Sequence, residues 1–139
     1  MSPPLAPRAL ALVAAGGAVG GLARYGLTRA FPVGSGTFPT TTFLVNVGGA
    51  FVLAVLLETL ARRGAPDHWS RLIVGVGVLG AFTTFSTLAT EIALLWRDHH
   101  RGLAVGYGVA TVGAGIGAVL AGLWTAGRRR GPAPAEAEA

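Results

Sequence analysis

Two polar residues four apart, Thr42 and Asn46, fall on one helix face of an uncharged stretch. A second group, Thr83, Thr84, Ser86 and Thr87, surrounds Phe85 in another. Polar side chains of this kind at membrane depth face a partner helix or a water-filled path, never plain lipid. Asn46 is the most telling of them, because Ser and Thr can bond their own backbone carbonyls and an asparagine amide cannot be satisfied so cheaply. Arg24, followed by Tyr25, lies about a turn inside the end of the first apolar stretch, where a long side chain reaches back to the interface or guides ions. Glu58 and Glu91 lie near stretch ends, where reaching out to the interface is the default. His68, His99 and His100 sit in connectors among charges, a setting for solvated side chains rather than metal ligands. No carboxylate pair or Ser/His/Asp set lies within an apolar stretch, which argues against an intramembrane enzyme. The absence of cysteine excludes disulfides, thiolate metal sites and a Cys nucleophile.

The elements that must position these groups are apolar and long. Of 139 residues, 52% are hydrophobic and 12% charged, against roughly 25% charged in soluble domains. The charges fence off four runs, with helices expected at about 9–30, 40–60, 72–96 and 102–125 in one unit over residues 1–127. About 20 apolar residues cross ~30 Å of hydrocarbon, so the fold class read here is an all-α membrane protein with four spans. The first run is marginal and would also suit a signal peptide, but no small-residue cleavage site with a polar start follows it. Phe31, Pro32, Gly34, Ser35, Gly36 and Pro39 make a Gly/Pro-rich connector, and Trp69 and Trp96 edge the other connectors as interfacial anchors do. Residues 128–139 read as a basic and then disordered tail. All eleven basic residues are Arg and punctuate apolar runs instead of forming a stripe, so lipid headgroups, not nucleic acid, are their expected partners.

Glycines four apart at Gly16/Gly20, Gly17/Gly21, Gly102/Gly106 and Gly113/Gly117 give the small-xxx-small pattern of close helix packing in membranes. Gly80 and the β-branched residues after it weaken the third helix midway, where an opened helix frees backbone carbonyls tolerable only around a cavity or ion. Four spans are few to enclose a pore, which favours a homodimer. Arg8, Arg62, Arg63 and Arg71 on one side balance Arg24, Arg29, Arg97 and Arg101 on the other. Only Arg128, Arg129 and Arg130 tip the count, and so near-even a chain can insert both ways up as an antiparallel dual-topology dimer.

Three fragments together resemble the bacterial fluoride channel family known as Fluc or CrcB: Gly16 to Tyr25, Thr42 to Gly49 and Gly80 to Thr87. The resemblance implies an antiparallel dual-topology homodimer with a third helix broken mid-membrane and passive fluoride export that lowers cytoplasmic fluoride. It implies two fluoride pathways and a structural, untransported sodium ion at the dimer centre. By that likeness Asn46, Thr42, Phe85, Ser86, Thr87, Tyr107 and Arg24 line the fluoride pathway, and the backbone carbonyls of Gly80 and Thr83 hold sodium. The family's second phenylalanine, three residues after the first, is here Leu88, which offers bulk but no ring edge.

Neutral donors suit a small, strongly hydrated anion, because they replace its water yet let it leave again. No nucleotide motif or buried coupling carboxylate is apparent, so passive transport is expected. A small multidrug-type cation/proton antiporter is the rival; it needs an acid deep in the first helix, and none is there. A purely structural membrane protein would explain the glycines but not Asn46.

Overall fold

Residues 7–64 and 69–128 are described by the computed structural model; His68, Arg129, Arg130 and the rest of the tail lie outside them. Among the described residues every regular element is helical: α1 (Pro7–Ala30), α2 (Thr40–Arg62), a π-helical segment (Arg71–Leu79), α3 (Gly80–Phe82), α4 (Phe85–Arg97) and α5 (Arg101–Arg128). The π segment, α3 and α4 together form the third of four stretches long and apolar enough to cross a membrane. The first, despite its Arg24, is another of the four.

Close backbone approach sets the packing of α1. A Cβ on Gly16 would collide with the Ile73 carbonyl, and one on Gly20 with the Val78 carbonyl, so α1 lies directly on the π segment. A Cβ on Gly77 would stand 2.9 Å from the Gly16 Cα, which makes the contact mutual. The other three expected pairs are not used this way: Gly21, Gly102, Gly106, Gly113 and Gly117 have nothing within 4 Å of a built Cβ, and Gly17 meets only Ala81 at 4.0 Å. Their small faces stay open within one chain.

α2 packs along α5, which also covers α4. There Leu88, Leu95, Ala104 and Tyr107 are buried together, with Phe38 and Ile92 against them. Phe38 meets the Tyr107 ring edge-on at 5.2 Å, a favoured aromatic geometry.

The turn between α4 and α5 is short and closed by backbone bonds. At the end of α4 the His100 N–H donates to the Leu95 carbonyl and the His99 N–H to that of Trp96, with His99 at φ 65. This is the Schellman closure, with histidine where glycine is usual. Only Asp98, His99 and His100 separate α4 from α5.

Candidate functional site

The helical run of the third stretch ends at Phe82. Thr83 (φ −74, ψ 152) and Thr84 (φ −148, ψ 118) are extended, and α4 begins at Phe85. Two extended residues withdraw backbone groups from the helical ladder, and such groups need other partners. Asn46 supplies them. Its Nδ2 donates to the Thr84 carbonyl at 3.0 Å, and its Oδ1 accepts from the Thr84 N–H at 2.7 Å. The Thr84 hydroxyl accepts from the Thr87 N–H at 3.1 Å as the N-cap of α4 and donates to the Thr87 Oγ1 at 3.0 Å. Ser86 Oγ lies 3.2 Å from the same hydroxyl. Thr83 turns its own hydroxyl back to the Leu79 carbonyl. Its methyl points at Gly49, where a Cβ would collide with it.

A groove of about 530 Å³ runs along this feature between α2, α4 and α5, and Asn46, Thr84, Phe85, Leu88 and Thr111 line it. Phe85 projects there with 80% of its surface exposed, whereas Leu88 is 6% exposed, one side in the groove wall and the other in the cluster below. Thr42 and Tyr107 lie deeper, at 3% and 0% exposure.

Thr42 and Tyr107 converge on a residue whose part the sequence did not reveal. The Thr42 hydroxyl donates to Glu91 Oε1 at 2.8 Å, and the Tyr107 hydroxyl to Oε2 at 2.6 Å. Glu91 therefore does not reach out to the interface, and the expectation of no carboxylate held inside the bundle is corrected. Two hydroxyl donors from α2 and α5 hold it, which offsets the desolvation that would otherwise drive it outward. The pattern that could have found it is positional: Glu91 follows Thr87 by four on α4, and Tyr107 stands at matching depth on α5.

Arg24 is also turned inward. Its Nε donates to the Ala81 carbonyl at 3.1 Å, next to the end of α3. With Thr28, Thr42, Thr84 and Thr87 it lines a hollow of about 10 Å³, close to the volume one water needs. The default of reaching back to the surface is thus replaced by a bond to the backbone beside the extended pair. Gly80, the first residue of α3, donates its N–H to the Gly75 and Gly77 carbonyls.

The site accordingly has two parts. Asn46, Thr83, Thr84, Phe85, Ser86, Thr87 and Arg24 gather at the extended pair; Thr42 and Tyr107 gather on Glu91, one helical turn or so further along α4. Beyond Glu91 a cleft of about 230 Å³ opens toward the connector between α1 and α2. On its rim the Arg97 Nε donates to Asp98 at 2.9 Å and holds that carboxyl below the ordinary carboxylate range.

A family described as CrcB-like protein, Camphor Resistance (CrcB), matches residues 11–123. A protein of Caulobacter vibrioides (strain NA1000 / CB15N) named fluoride-specific ion channel FluC is 46% identical over 121 residues, 84% of this chain and 94% of that one. One of the same name from Chelativorans sp. (strain BNC1) is 40% identical over 118 residues, again 84% of this chain and 94% of that one. Fluoride-specific ion channel FluC 3 of Streptomyces avermitilis is 45% identical over 114 residues, 82% of this chain but 56% of the longer relative.

Proposed function

The chain belongs to the CrcB family, and from that premise we propose that it is a fluoride-specific channel of a bacterial membrane, exporting the ion passively and so lowering its cytoplasmic level. The observation that carries the reading is the groove beside the extended pair. Its walls are apolar and its polar side chains uncharged. The hydroxyls of Thr83, Thr84 and Thr111 donate to Leu79, Thr87 and Tyr107, while the Asn46 amide has a second hydrogen beyond the one given to Thr84, and the exposed edge of Phe85 stands in the same groove. A dehydrated fluoride needs donors in close fit, and a ring edge carries the positive part of the quadrupole. A fixed cation in mid-path would hold the ion too tightly to release it. Thr42 and Tyr107 lie outside the groove itself, and their hydroxyls, each with one proton now on Glu91, would serve an anion only by turning from that carboxylate.

The finer assembly follows from this reading. The extended pair is a break at membrane depth in the third span, and the groove is half of a pathway. A second, antiparallel copy closes it and yields two pathways; the near-even arginine count allows both insertions. Sodium suits the donor set. Backbone carbonyls are hard oxygen donors of the kind such a cation takes. Gly80 and Thr83 would hold the ion, with the twofold copy completing its shell. When bound it supplies positive potential with no mobile charge. Arg24, bonded to the Ala81 carbonyl, steadies the backbone that presents those oxygens.

One observation favours a second reading: Glu91 is an acid held inside the bundle, which a proton-coupled carrier would require. Liposomes holding purified protein separate the two. A channel releases fluoride down its gradient, retains chloride and accumulates nothing when only a pH gradient is imposed; uphill fluoride movement driven by that gradient would establish the carrier.

A further inference from the structure

We infer that His100 is a positioning residue for the mouth of the path: its imidazole, seated on Gly36, fixes the connector that walls the cleft leading to Glu91. This rests on the fluoride-channel reading above.

The cleft has Glu91 on its floor, Leu94, Leu95 and Arg97 on one side and the connector residues Ser35 and Thr37 on the other. The connector side is a tight turn. The Thr37 N–H donates to the Gly34 carbonyl at 3.3 Å and the Thr37 hydroxyl to the same oxygen at 2.7 Å. Gly36 stands at its third position at φ 72, where side-chain-bearing residues are strained. Space is denied there as well, since a Cβ on Gly36 would lie 2.6 Å from His100 Nε2 and 3.1 Å from its Cδ2.

The main chain of the histidine is fixed, and its ring is held against the turn only as firmly as its side-chain torsions allow. Its N–H is bound to the Leu95 carbonyl at 2.8 Å, and its carbonyl accepts from the Ala104 N–H at 3.0 Å, so it is locked between α4 and α5. Two long helices thus fix the backbone of the residue whose ring packs on the turn, while the flanks of the connector are tied separately, as by the Thr41 hydroxyl on the Phe31 carbonyl. The hydroxyls of Ser35 and Thr37 are placed at the entrance by that contact. The charged groups around the ring, Arg97, Asp98, His99 and Arg101, belong to the same α4–α5 corner, and none of them replaces its contact with Gly36.

The chain has no cysteine, so Leu95→Cys, beneath the connector and 5% exposed, reports whether the turn is held down. In purified dimers the rate of labelling by a water-soluble sulfonate thiol reagent should rise about tenfold on adding His100→Ala, because releasing the contact makes local opening easier, and less than about twofold on adding His100→Gln, which keeps a side chain of similar reach. In liposomes His100→Ala should slow fluoride efflux and His100→Gln restore it. Gly36→Ala should slow efflux more with His100 present than in the His100→Ala background, since the clash is then gone and only backbone strain is left. Unchanged labelling in His100→Ala, or additive effects at the two sites, overturns the inference. Should Leu95→Cys fail to fold, hydrogen exchange of the Thr37 amide, bonded to the Gly34 carbonyl inside the turn, gives the same readout and should quicken in His100→Ala but not in His100→Gln. Labelling does not depend on conduction: the predicted labelling with no fluoride flux in any variant keeps the clamp and removes the channel reading, and flux with unchanged labelling removes the clamp alone.

Discussion

Both carboxylate oxygens of Glu91 are engaged by hydroxyls from other helices, so each of the three residues depends on the other two. Tyr107→Phe removes one donor to a charged group, a bond worth about 1.5–3 kcal/mol, and should slow fluoride efflux by about tenfold or more. Thr42→Val should act in the same direction. Glu91→Gln keeps the shape but puts an NH2 donor where one acceptor was, so one hydroxyl must accept instead of donating and flux should fall as well. A stopped-flow or electrode efflux assay on the three variants checks the set; undiminished flux in all of them would remove the cluster from the path. Leu88 is different, because its side chain borders the open groove as well as the cluster. Leu88→Phe should therefore keep or raise flux, the ring extending into the groove and adding an edge there; loss of flux would mean that leucine is specifically required.

Asn46 joins α2 to the residues between α3 and α4 by two hydrogen bonds to a single peptide unit. Asn46→Leu strands both backbone groups of Thr84, at about 1–3 kcal/mol for each buried partner left unmet. The variant should lose flux by more than the donor alone would predict, and its thermal unfolding temperature should also drop. Gly49→Ala presses on the Thr83 methyl and should lower flux without touching any donor. The four spans could be read directly from the sequence, because charge fences and apolar length are properties of composition. The Gly16/Gly20 contact could be read from spacing, whereas the open faces of Gly102, Gly106, Gly113 and Gly117 could not, since spacing says which helix face is small and not what lies against it. The nine-residue π segment left no mark in the sequence pattern, although Gly77 within it is where the backbone of α1 comes close. Glu91 was missed for a related reason. Proximity to a helix end in sequence says little about depth once donors from two other helices meet the side chain.

At the scale of the molecule, one chain presents a groove open on one side, an aromatic ring standing out into it, and outward valines and isoleucine along α5 such as Val109, Val112 and Ile116. Lipid and a second copy are the surfaces that suit such a face. Cross-linking or mass measurement in detergent should find a dimer, and a C-terminal tag should be reachable from both sides of the membrane in cells. A membrane potential of 100 mV contributes about 2.3 kcal/mol per charge, so an interior-negative cell can hold fluoride about fortyfold below the outside level with no other energy source. The decisive measurement is fluoride release from liposomes containing only this protein, with an imposed potassium diffusion potential and chloride as the control ion. Rapid fluoride efflux that follows the sign of the potential while chloride stays inside is predicted; folded, dimeric protein that leaves fluoride trapped would contradict it.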